Sequence, residues 1–140
     1  MEFKSKYHGI LEYNEKDIVT FENGVPGFEE LKRFILVPHK ENNVFSILHS
    51  LEECEVGFIV ISPFFIDDKY ELNLEESIAE KLKLSSSHNA KIVNTVTLHS
   101  DPKKITVNLK APIIINVENN LAHQVILNND KYNIKTPLIK

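Results

Sequence analysis

Asn23-Gly24-Val25-Pro26-Gly27-Phe28-Glu29 and, later, Thr106-Val107-Asn108-Leu109-Lys110-Ala111-Pro112-Ile113-Ile114-Ile115-Asn116 are the stretches on which the reading of this chain turns. In the first, two glycines bracket a proline and an aromatic anchor follows. Pro26 fixes one backbone torsion, while Gly24 and Gly27 admit positive φ. In the second, a strand from Thr106 to Lys110 breaks at Pro112 and resumes as an apolar run ending in Asn116. Proline has no N–H for a ladder, so Pro112 marks a bulge, an edge or a bend. Asn108 and Asn116 flank the break, where a polar side chain can satisfy backbone groups freed by the interruption. Neither stretch holds a nucleophile, base or metal ligand at working spacing. Both define shape, which points away from catalysis.

Working outward, Phe3 to Tyr13 alternates apolar and polar residues and predicts a half-buried strand. Ile18 to Phe21 predicts a second strand before the glycine loop, and Phe28 and Leu31 suit one helical turn. Phe34 to Val37 and Phe45 to His49 follow, linked through Pro38 and the polar Glu41-Asn42-Asn43. Val56 to Ile61 is apolar at nearly every position and reads as buried on both faces. One helix is predicted, Leu74 to Leu84, capped by Asn73 with Glu76 in the capping-box position. Its Leu74, Ile78 and Leu82 form a narrow apolar stripe. Strands return at Lys91 to His99, Ile105 to Lys110, Ile113 to Val117 and His123 to Leu127. Asp101-Pro102-Lys103-Lys104 predicts the turn of an antiparallel hairpin. The expected fold is mostly β: one domain over residues 1–140, a small antiparallel barrel-like body with one short helix.

The 140 residues are 42% hydrophobic, enough for a core, and carry a net charge of −4. No stretch approaches the roughly 18 apolar residues of a spanning helix. The N-terminus carries no signal-peptide core, and a lone cysteine, Cys54, forms no internal disulfide framework. A cytoplasmic location is expected. The charge is uneven: Glu52 to Glu80 holds nine acids and one base, a net −8. Such a field attracts a basic partner and repels nucleic acid. The same run also reads as the solvated faces of one loop and one helix. Phe64 and Phe65 beside Asp67 and Asp68, with Glu71, Glu75 and Glu76 just beyond, make a candidate contact patch. The alternative is that Phe64 and Phe65 fold back over the core.

Other chemistry finds little support. His8, His39, His49, His88, His99 and His123 are scattered singly, without metal-ligand spacing. His99, Ser100 and Asp101 are adjacent on a strand and so point to opposite faces, which rules out a triad. Asp67, Asp68 and Glu71 lack the glycine-punctuated calcium loop, and Gly24-x-x-Gly27 lacks the lysine of a phosphate loop. No catalytic residue, cofactor or metal is expected. Two alternatives stay open: a small-barrel nucleic-acid-binding module, and a small enzyme built on a histidine–carboxylate cluster.

Phe21, Gly24, Pro26, Gly27 and Phe28, followed by Asn108, Leu109, Ala111, Pro112, Ile113 and Asn116, resemble the pattern of the flagellar assembly factor FliW family. Ser62-Pro63-Phe64-Phe65 and the tail from Tyr132 to Leu138 are weaker echoes, with Ser62 where an acid is more usual. The resemblance runs from Phe3 to Leu138. It implies a cytoplasmic, non-enzymatic protein that binds flagellin and the RNA-binding regulator CsrA, and so relieves repression of flagellin synthesis. It also allows Gly24, Pro26, Gly27, Phe28, Asn108, Ala111, Pro112 and Asn116 a binding role beside the structural one.

Overall fold

The computed structural model describes residues 1–42 and 44–139; Asn43, in the predicted polar link, lies outside the described residues. The chain forms β1 (Glu2–Ser5), β2 (Gly9–Glu12), β3 (Ile18–Thr20), β4 (Arg33–Pro38), β5 (Phe45–Ser50), β6 (Gly57–Ile61), α1 (Glu76–Lys81), β7 (Ala90–Thr97), β8 (Thr106–Val107), β9 (Ile113–Asn116), β10 (Ala122–Gln124) and β11 (Thr136–Pro137). β1 and β2 are a separate antiparallel pair. The main sheet runs β10-β9-β7-β6-β5-β4-β3, with β8 joining β7 to β11. Every strand pairing is antiparallel. A parallel bridge, Thr20 to Leu121, brings the two edges together. The mostly β expectation holds, yet the body is a bent sheet whose edges are bridged at Thr20 and Leu121, not a closed barrel.

Three local expectations need correction. Phe3 to Tyr13 is a hairpin, not one strand: Gly9 has φ +71°, and Ser5 Oγ accepts the N–H groups of Tyr7 and His8 at 3.3 and 3.2 Å. The hydroxyl and the glycine turn the chain where side-chain alternation alone continues it. The helix is shorter than Leu74 to Leu84 and lacks the Asn73 cap; Glu75 occupies the cap position without a side-chain bond. Its C-terminus is firmer. Lys83 has φ +56°, Leu84 N–H reaches Ala79 O at 2.9 Å and Lys83 N–H reaches Glu80 O at 3.1 Å, the paired bonds of a Schellman end. Finally, Phe28 and Leu31 form no helix: Phe28 bridges Val25, and Leu31 N–H bonds Phe28 O at 2.9 Å across a single turn at Glu29 and Glu30.

The apolar side chains divide into two clusters. One gathers Phe21, Phe34, Leu48, Val60, Ile113 and Ile115; the other gathers Ile61, Ile66, Tyr70, Val107, Leu127 and Tyr132. β6 and β7 contribute to both, since Val60 and Val93 serve the first while Ile61 and Val96 serve the second.

Candidate functional site

The glycine loop is built as two consecutive turns. Gly24 N–H bonds Phe21 O at 2.9 Å, and Phe28 N–H bonds Val25 O at 2.7 Å. Pro26 and Gly27, the latter at φ +87°, fill the two central positions, the signature of a type II turn. Gly24, at φ +72°, is constrained twice, because a Cβ there would overlap the backbone of Glu29. Gly27 meets nothing within 4 Å and is constrained by φ alone. Phe28 is partly exposed and packs edge-to-face on Phe58 at 5.8 Å.

The Pro112 break is a bulge. Val107 faces Val96 while Ile113 faces Val93, six steps along one strand against three along β7. The extra residues redirect the chain, so β7 pairs first with β8 and then with β9 on the same side. Asn108 Oδ1 accepts the N–H groups of Lys110 and Ala111, both at 3.1 Å, directly before the proline. Asn116, fully buried, works elsewhere: its Nδ2 donates to Leu82 O at 2.8 Å and Lys83 O at 3.3 Å, tying the end of α1 to β9. These carbonyls have no partner within the helix, so the amide supplies one.

The acidic run does not form one surface. Glu52, Glu53 and Glu55 sit at the β5–β6 turn, at the opposite end of β6 from Pro63. Glu52 accepts Lys32 N–H at 2.6 Å and Arg33 N–H at 2.8 Å, bonds that hold its carboxyl below the usual carboxylate range. Glu55 pairs with Lys6 at 2.8 Å, the one salt bridge among the described residues. From Asp67 to Glu80 there remain six acids and one lysine, a net −5. This part is separated from the turn by the five-residue β6, about 17 Å of extended chain.

Next to these acids the aromatics point outward. Phe64 is 49% exposed and Phe65 66%, so they do not fold back over the core. Their neighbours hold them there. Ser62 Oγ caps the short turn Pro63–Phe65 through Phe64 N–H, as an acid would, while Pro63 and Ile66 are buried. Tyr70 is buried beneath, its hydroxyl donating to Leu109 O at 2.7 Å; burial pushes that hydroxyl up to about 12. Tyr132, from the C-terminal tail, packs on Tyr70 at 4.5 Å and accepts Glu71 N–H at 2.8 Å. Asp68, Glu71, Glu75 and Glu76 are exposed and Asp67 is half-buried. The result is an outward-facing pair, Phe64 and Phe65, over the buried Tyr70, followed by carboxylates that form no salt bridge among the described residues.

Sequence reading missed the fully buried His49. Its Nε2 meets Ser5 Oγ at 2.8 Å and its Nδ1 meets Ser50 O at 2.8 Å, which pins the β1–β2 hairpin to the sheet. Its ring lies 6.0 Å from that of His8, and burial followed by the nearby His49 and His39 lowers the His8 pKa. Both His49 nitrogens are engaged within the fold. Among the described residues no group of three His, Cys, Asp or Glu side chains is placed to hold a metal ion.

Comparison with known proteins agrees over the whole chain. The family described as FliW protein matches residues 2–138. The flagellar assembly factor FliW of Clostridium botulinum (strain Okra / Type B1) is 54% identical over 140 residues, covering 100% of this chain and 98% of the relative. The protein of the same description from Clostridium novyi (strain NT) is also 54% identical, with the same coverage. A crystal structure of the flagellar assembly factor FliW superposes with a TM-score of 0.92 at 38% identity, covering 100% of this chain and 98% of the other.

Proposed function

The chain belongs to the FliW family of flagellar assembly factors, and from that premise we propose that it acts in the cytoplasm by binding flagellin and CsrA. Flagellin occupies it while flagellin is abundant; as flagellin is exported, the freed protein binds CsrA and relieves repression of flagellin synthesis. It works by binding, not by catalysis. The observation that carries the CsrA half is the exposed pair Phe64 and Phe65, followed along the chain by Asp67, Asp68, Glu71, Glu75 and Glu76, all exposed but the half-buried Asp67 and none in a salt bridge among the described residues. A basic RNA-binding protein is drawn to such a surface, and its hold on RNA is opposed by the same field.

The test is association with purified CsrA across a salt series. Exposed charges are screened beyond about 10 Å at 0.1 M salt. Changing Asp67, Asp68 and Glu71 together to Lys should slow association at low salt by roughly tenfold or more, with the difference shrinking as salt rises. Flagellin binding should change less. Association of the triple variant at the parental rate at every salt concentration would place the CsrA contact elsewhere.

A further inference from the structure

The acidic segment borders a free edge of the main sheet. β10 pairs only with β9 along its length, apart from the bridge at Leu121. Beyond β10 the chain stays in register: Val125 N–H bonds Pro112 O at 2.9 Å and Leu127 N–H bonds Lys110 O at 2.8 Å. In an antiparallel ladder alternate residues turn their N–H and C=O the other way. Gln124 and Ile126 therefore present these groups away from β9, where no described residue pairs with them. Ile126 is also 70% exposed. Sheet edges are ordinarily guarded by lysine, proline or a covering element; the stretch Gln124-Val125-Ile126-Leu127 has neither residue. Facing Val125, Ile126 and Leu127 across a groove of about 330 Å³ is the segment Glu71 to Glu75, which contributes Glu71, Leu72, Asn73 and Glu75 to the lining, while Gln124 lies just beyond the groove's end. Neither carboxylate has a salt-bridge partner among the described residues.

We infer that this groove receives an extended basic segment of a partner protein as an added strand. The outward N–H and C=O groups of Ile126 bond its backbone inside the groove, and those of Gln124 bond it just beyond the groove's end. Leu72 and Ile126 contact its apolar side chains, and Glu71 and Glu75 meet its lysines or arginines. Backbone bonding supplies affinity that tolerates salt, while the carboxylates select the charge. The inference rests on the proposed CsrA contact at the same acids and adds how the partner is held.

Hydrogen exchange of the full chain, alone and with purified CsrA, tests it directly. The amides of Gln124 and Ile126 should exchange quickly in the free protein and slow at least tenfold in the complex. Ile126→Pro removes the outward donor and leaves the Val125 and Leu127 bonds to β9 in place; it should weaken CsrA binding at least tenfold, mainly through faster dissociation, at low and high salt alike. Ile126→Val keeps the N–H and should bind as the parent does. If Ile126→Pro melts early, exchange in the parent decides the matter alone. CsrA binding without protection of the two amides overturns strand addition and leaves the proposed function standing. Failure of the parent to bind CsrA at low salt overturns both.

Discussion

Asn108–Asn116 and Phe64–Glu76 rest on the same apolar cluster, through Leu109 in one and Ile66 and Tyr70 in the other, yet they use their polar groups in opposite ways. In the first, Asn108 caps the bulge and Asn116 closes the helix end, so the amides are consumed within the fold. In the second, most carboxylates and both phenylalanines face solvent, while Ser62 and Tyr132 hold the backbone and Tyr70 anchors the segment to Leu109. The glycine loop sides with the first region. A residue used up by the fold should report through stability, and a residue left over should report through binding.

The largest effect expected is at Gly24. Gly24→Ala combines positive φ with an overlap against backbone that cannot step aside, and should lower stability by on the order of 3 kcal/mol. Gly27→Ala carries the φ penalty alone, about 1 kcal/mol. Denaturant melts giving equal losses at the two glycines would show that the Glu29 contact relaxes freely.

Next is Asn116→Ala, which strands the Lys83 carbonyl and leaves Leu82 O to Asn119, which donates to it at 3.1 Å. A loss of about 2 kcal/mol is expected, against about 1 kcal/mol for Asn108→Ala at the more open bulge. If either variant melts normally but fails to bind flagellin or CsrA, the division between the two regions breaks.

Phe65→Ala tests the other side. With its ring largely in solvent, the variant should keep its stability within about 0.5 kcal/mol while losing roughly tenfold in partner affinity. A substantial drop in melting temperature would instead make Phe65 part of the core.

The smallest effect is in pH. Glu52 has a lowered pKa in the fold, so its contribution is present above the ordinary carboxylate range and is lost as pH falls through its folded value. It is exposed, so Glu52→Gln should cost under about 1 kcal/mol at pH 7. His8 and His123 are lowered chiefly by burial, which favours the neutral ring; that stability is complete above 6.5 and declines as pH drops toward their folded values. Melts at pH 7.5, 5.5 and 4 should fall in two stages, with the first blunted by His8→Gln and the second by Glu52→Gln.

What the sequence determined by itself was the class of structure and the punctuation of the chain. Gly24, Pro26 and Gly27 could be read as a turn, and Pro112 as an interruption, because backbone torsion and the missing N–H are properties of single residues. The mostly antiparallel body followed from strand-length apolar runs divided by turns. The candidate patch was legible only in part: Phe64 and Phe65 beside acids read equally as contact surface or as core, since local sequence does not say which side of a turn faces the body. Tertiary structure decided that, through Tyr70 and Tyr132 packing beneath. It also split the acidic run across the two ends of β6, broke Phe3 to Tyr13 at Gly9, and gave Asn116 a helix end to hold instead of the bulge. It placed His49 in the core against Ser5, 44 residues away, and left the outer edge of β10 uncovered. Apart from the break at Gly9, which the glycine and the Ser5 hydroxyl set locally, each of these depends on which strands become neighbours and in what register, a property of pairs distant in sequence that no local pattern encodes.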